Sequence, residues 1–160
     1  MLDTLTVLTY LVTHEAGYSG RLHLHVLFPE KQLPVSCAMK PESPQIQIQW
    51  SGVPPEADSL AVIIKDKNPS EKTGKANYYW VAYNLPIEGK GLSLGGSNNM
   101  NPNNQLMQYH SPWACRNAAS TVEVELFALD KRFDENSKRT GALFEQEIQG
   151  HVIAKAVVMG

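Results

Sequence analysis

Residues 33–66 read LPVSCAMKPESPQIQIQWSGVPPEADSLAVIIKD. Ile46 and Ile48 alternate with Gln45, Gln47 and Gln49 and lead into Trp50. Apolar residues at every second position describe a strand with one buried and one wet face. Turn formers in GVPPEAD then break the chain, because proline and glycine fix backbone angles that a strand cannot continue. The following run, Leu60 to Asp66, is almost continuously apolar and β-branched, which predicts a central strand.

Working outward, the same two patterns recur. Leu22, Leu24 and Val26 alternate with His23 and His25. Val122, Val124 and Leu126 alternate with Glu123 and Glu125, which predicts a solvated carboxylate face rather than a glycosidase pair. YYWVAYNLP predicts another central strand, stopped by Pro86. Thr4, Thr6, Val7, Leu8 and Tyr10 favour a first strand. Between these lie turn-rich stretches, including the long GLSLGGSNNMNPNNQ, read as a surface loop without regular structure. One helix is expected, capped by Thr140, filled by Ala142 to Gln149 and ended by Gly150, with Leu143, Phe144 and Ile148 on one face. VIAKAVVM after it fits a final strand or a second helical stretch. Many short strands joined by turns imply a β-sandwich or barrel rather than βαβ units.

Composition narrows the function classes. The chain has 160 residues, which suits one domain over 1–160. It is 42% hydrophobic and 19% charged, so a packed core is expected. Fourteen Lys and Arg against 16 Asp and Glu give a net charge of −2, which argues against a nucleic-acid binder held by a broad basic face. No apolar run approaches the roughly 18 residues of a membrane span. Leu5 to Val12 lacks a basic region before it, the first cation being Arg21, so no signal peptide is expected. A cytoplasmic location follows, or a periplasmic or secreted one if a leader has been removed.

Individual residues offer little catalytic chemistry. Cys37 and Cys115 belong to no closely spaced pair, so a zinc or thioredoxin-type motif is excluded. Two reduced thiols are expected, with a bridge between them as the alternative. Cys115 has Arg116 beside it but no His or Asn at a recognisable spacing, so it reads as an ordinary thiol. His23 and His25 share a strand face without a third ligand, which favours a wet face over a metal site. His14 and His110 have no clear partner, and His151 after Gly150 reads as a cap or packing residue. No G-x-S-x-G or G-x-x-x-x-G-K-[ST] pattern occurs, so neither a nucleophile elbow nor a phosphate loop is expected.

Taken in order, five segments resemble the phosphatidylethanolamine-binding protein family, that of Raf kinase inhibitor protein and its small bacterial relatives. They are residues 33–66, YYWVAYNLP, QYHSPW, VELFALD and GALFEQEIQGHVIAKAVVMG. Residues 1–20 have no placed counterpart. The resemblance implies a mostly β protein: two antiparallel sheets in a sandwich with a C-terminal helix, and a small cavity that takes an anion such as a phosphate headgroup, phosphotyrosine or acetate. It places the family's pocket positions on Asp66, Asn68, Tyr79, Pro112 and Ser120. Asp66 keeps a carboxylate, Lys67 and Asn68 replace the Pro and second Asp, Tyr79 and Ser120 replace two histidines, and Ser111 replaces the Gly before Pro112. Tyr and Ser are neutral donors, and hydrogen bonds from charged donors are roughly twice as strong, so the anion site is weakened.

The expected protein is therefore a soluble, non-enzymatic binding or regulatory module that acts through protein contacts, with a kinase or hydrolase as the class of partner. The alternative is a binder of a phosphorylated headgroup or a carboxylate. No cofactor or metal is expected, and a two-fold homodimer is consistent with the resemblance.

Overall fold

The computed structural model describes residues 6–8, 22–28, 46–68, 74–94, 105–107, 121–134 and 140–160. Cys37, Cys115, Pro112, Ser120, His14 and His110 lie outside them. The described chain forms β1 (Thr6–Leu8), β2 (His23–Phe28), β3 (Ile46–Ser51), β4 (Ser59–Asp66), β5 (Tyr78–Leu85), β6 (Gly91–Leu94), β7 (Gln105–Met107), β8 (Val122–Leu129), α1 (Gly141–Ile148) and β9 (Val152–Met159).

The strands make two antiparallel sheets, ordered β1-β2-β3-β6 and β7-β5-β4-β8-β9. The apolar faces predicted by alternation meet between them. Leu22, Leu24, Val26, Ile46, Ile48 and Trp50 from one sheet pack on Leu60, Val62, Ile64, Val124 and Leu126 from the other. A second, smaller core lies on the outer face of the five-stranded sheet. There Phe144 and Ile148 of α1, with Phe133, cover Ala61, Ile63, Val81, Tyr83 and Phe127. Phe144 sits 5.5 Å from both the Tyr83 and Phe133 rings, the latter edge-on. This second layer is why β4, central in its sheet as its unbroken run predicts, is apolar on both faces.

The helix begins and ends as its capping residues predict. The Thr140 hydroxyl accepts from the Leu143 N–H at 3.2 Å, satisfying one of the first free donors. The 131–134 segment is held against the sheet by Asn84, whose amide donates to the Phe133 carbonyl at 2.6 Å and accepts from its N–H at 2.8 Å. Asn84 has φ 54, in the left-handed region, where β5 steps out of register with β4 between Leu60 and Val62.

Three local expectations change, and one left open between strand and helix is decided. Gly91–Leu94, read as loop, is strand β6, because Leu92 pairs opposite Ile48 and Gly91 fits where a side chain would meet the Ile48 carbonyl. VIAKAVVM is strand throughout. Leu143 is 49% exposed and does not share the buried face of Phe144 and Ile148. Glu125, expected on a solvated face, is 3% exposed, because α1 and the flanking lysines close over it.

Candidate ligand pocket and the ion cluster behind it

Asp66 ends β4, and its side chain falls on the same face as Leu60, Val62 and Ile64. Tyr79 reaches it only through an irregularity in β5. Ile64 pairs with Trp80 but Lys65 pairs with Tyr78, so Tyr79 is an extra residue, a β-bulge. The bulge turns Tyr79 toward the sandwich interior, while Tyr78 points to the helix side. The Tyr79 hydroxyl then donates to Asp66 Oδ1 at 2.9 Å. Asn77, just before β5, donates its amide to Asp66 Oδ2 at 3.1 Å and to the Tyr79 hydroxyl oxygen at 3.3 Å. The backbone closes the same corner, where the Asp66 N–H donates to the Asn77 carbonyl at 3.0 Å.

Of the five pocket positions, the structure brings Asp66 and Tyr79 together. Asn68 is exposed, and Asn77 supplies the amide instead. Pro112 and Ser120 lie outside the described residues. Lys67 is exposed, with its N–H bonded to the Thr121 carbonyl at 2.8 Å. Asn77 escaped sequence reasoning because it lies in turn-rich chain, 11 residues from Asp66, where no periodicity marks it. What is assembled is one carboxylate with each oxygen engaged by a neutral donor.

Directly behind this corner, on the helix side of the same sheet, lies an ion cluster. Lys65 Nζ is 2.5 Å from Glu145 Oε1 of α1 and 3.1 Å from Glu125 Oε1 of β8. Lys155 of β9 reaches Glu125 Oε2 at 2.7 Å, with its ammonium 5.2 Å from the Phe127 ring. The Tyr78 hydroxyl donates to Glu145 Oε2 at 2.9 Å. Burial pulls the Lys65 pKa down, but Glu145 and Glu125 outweigh it and hold the ammonium well above its ordinary value. Burial, with Glu145 beside the hydroxyl, pushes Tyr78 up to about 12. Burial, then the neighbouring Glu125 charge, raises Glu123, partly offset by Lys65, Lys155 and Lys67.

His151 takes the packing role expected of it. Its ring lies edge-on to Phe133 at 6.2 Å, and Nδ1 is 2.8 Å from Asp130 Oδ1. Among the described residues, no three His, Cys, Asp or Glu side chains are placed to hold a metal ion, and no helix is long and apolar enough to cross a membrane.

Among the described residues, antiparallel sheets of four and five strands, with a helix laid on the outer face of the larger sheet, define an antiparallel β-sandwich class. Residues 25–160 match the model of the phosphatidylethanolamine-binding protein family, and the chain belongs to that family. Among solved structures, it is similar to a phosphatidylethanolamine-binding protein homologue from Chlamydia trachomatis, with 26% identity and a TM-score of 0.56, covering 74% of this chain and 78% of that one. It is also similar in fold to E. coli YbcL, described as a member of the mammalian family, with 22% identity, a TM-score of 0.56, and 73% and 77% of the two chains covered. No curated protein matches the chain.

Proposed function

We propose that this chain is a non-enzymatic binding and regulatory protein that acts through protein contacts, with a kinase or hydrolase as the class of partner, and that its anion pocket has lost its ligand. The observation that carries this reading is the state of Asp66. Both its oxygens accept from neutral groups, the Tyr79 hydroxyl and the Asn77 amide. Where the family offers histidines to an anion, this chain offers a phenol at Tyr79 and a hydroxyl at Ser120. Among the described residues, the corner therefore sets neutral donors rather than a cation against the carboxylate. A second anion about 4 Å away would meet a repulsion of about 1–4 kcal/mol across a partly solvated site. Lys67, being exposed, is screened and offsets little of this.

Calorimetric titration of the protein with inorganic phosphate and with phosphoethanolamine tests the reading. No saturable heat is expected from either. Saturable binding overturns it, and its loss in Asp66→Ala would locate the ligand at this corner and establish a small-anion binder instead.

A further inference from the structure

The corner holding Asp66 and Tyr79 is built on a bulge, and a bulge is not held by the strand ladder alone. At Tyr79 the β4–β5 register slips by one residue, so Tyr79 is the extra residue of β5 between the Ile64–Trp80 and Lys65–Tyr78 pairs. Its two flanking residues are anchored on opposite faces of the sheet. Trp80 is fully buried in the sandwich core. Tyr78 is gripped from the other side of the sheet by α1: its hydroxyl donates to Glu145 Oε2 at 2.9 Å, and its ring lies under Gly141. A Cβ on Gly141 would stand 2.9 Å from Tyr78 Cγ, so the helix start rests on the ring with no room to spare. Lys65, the neighbour of Asp66 in β4, is tied to the same Glu145 carboxylate at 2.5 Å. One side chain of α1 thus holds the residue preceding each member of the Asp66–Tyr79 pair.

We propose that Glu145 is a positioning residue for the pocket corner: by fixing Tyr78 and Lys65 on the helix side of the sheet, it sets Tyr79 and Asp66 on the other, so that docking of α1 and the order of the corner are coupled. The proposal rests on the pocket reading only in taking Asp66 and Tyr79 as its positions. Coupling of this kind is reciprocal. A partner that pulls on α1 loosens the corner, and a group that seats in the corner tightens α1. The path across the sheet is a single peptide step on each strand, Tyr78 to Tyr79 at the bulge and Lys65 to Asp66.

Hydrogen exchange in the unliganded protein provides the test, so its outcome is independent of whether phosphate binds. The reporter is the Asp66 amide, which donates to the Asn77 carbonyl, with amides of the β2–β3 pair as reference. Tyr78→Phe keeps the ring and removes only the hydroxyl; Glu145→Ala removes both attachments; Glu145→Gln keeps an oxygen that accepts from Tyr78. Each variant is compared with the parent protein in enough denaturant to match its global stability. Tyr78→Phe and Glu145→Ala are expected to speed exchange at Asp66 about tenfold relative to the matched parent, and Glu145→Gln to restore most of the protection. Exchange at Asp66 equal to that of the matched parent in Tyr78→Phe overturns the proposal, and this variant is the one least able to disturb folding.

Discussion

Glu125 shows how far a single side chain depends on what is laid over it. Its oxygens face Lys65 at 3.1 Å and Lys155 at 2.7 Å. Among the described residues, Oε1 receives no well-directed hydrogen bond, because the Lys65 ammonium is aimed at Glu145 at 2.5 Å. A carboxylate this deep is tolerated only when paired, since an isolated buried charge costs several kcal/mol or more. Its strand neighbour Glu123 is half-buried and bears the repulsion. Burial and the Glu125 charge raise the Glu123 pKa, so the folded state favours its neutral form. The sign follows: this contribution to stability is present below the ordinary value of 4.5 and is lost as pH rises through the higher folded value. Glu123→Gln, which mimics the neutral form, should therefore raise stability at neutral pH. Solvent screening keeps the gain to a few tenths of a kcal/mol, or about 1 °C in Tm. Thermal melts at pH 7 and well below 4.5 should show the gain vanish in acid. A gain of equal size at both would mean that its origin is not the Glu123 charge.

At the scale of the element, α1 is a helix whose length alone would not keep it folded. It spans eight residues, and isolated helices shorter than about 12–15 residues are marginal in water. Its stability comes from Phe144 and Ile148 in the second core and from Glu145 on Tyr78 and Lys65. Gly141 sets two effects against each other. Alanine is favoured over glycine within a helix by about 1 kcal/mol. Its Cβ would also lie 2.9 Å from the Tyr78 ring, and overpacking costs about 1–3 kcal/mol. The ring is wedged and cannot swing away without releasing Glu145, so the steric cost should win. Gly141→Ala is expected to destabilise by about 1–2 kcal/mol, read from urea unfolding midpoints. An increase in stability would show that α1 shifts freely over Tyr78.

For the whole molecule, the ion cluster ties β4, β5, β8, β9 and α1 together, and its alkaline titration should register in global unfolding. Tyr78 is raised from 10 to about 12, and Lys65 is held above its ordinary 10.5. Both folded values are raised, so both stabilising contributions are complete below the ordinary values and fade as pH climbs through the folded ones. Urea midpoints should therefore decline between pH 10 and about 12. Tyr78→Phe, having no proton to lose, should decline less steeply over that range. Parallel curves for the two proteins would remove Tyr78 from the account.

Much of this architecture was legible in the linear pattern. Alternation in 22–26 and 46–50 identifies strands β2 and β3 of the four-stranded sheet, and the unbroken apolar run of 60–64 identifies a central strand. The Thr140 cap and Gly150 bracket the helix because their chemistry acts within one turn. Five segments in family order were enough to indicate the sandwich, and that resemblance placed both Asp66 and Tyr79 among its pocket positions. Local chemistry reaches only a few residues along the chain, and there the sequence is sufficient. It does not determine which distant surface covers a strand, because burial is a property of two elements at once. Hence Glu125 lies under two lysines, Asn77 from a distant turn reaches Asp66, and Gly91–Leu94 becomes a strand by pairing with β3. The Tyr79 bulge is of the same kind: a one-residue slip between β4 and β5 has no local signature, yet it alone turns the phenol toward Asp66. The sequence by itself thus determined most of the strands and the helix and indicated the family, whereas the tertiary structure decided which further segments pair and which polar groups meet, since both depend on register and packing between segments far apart in the chain.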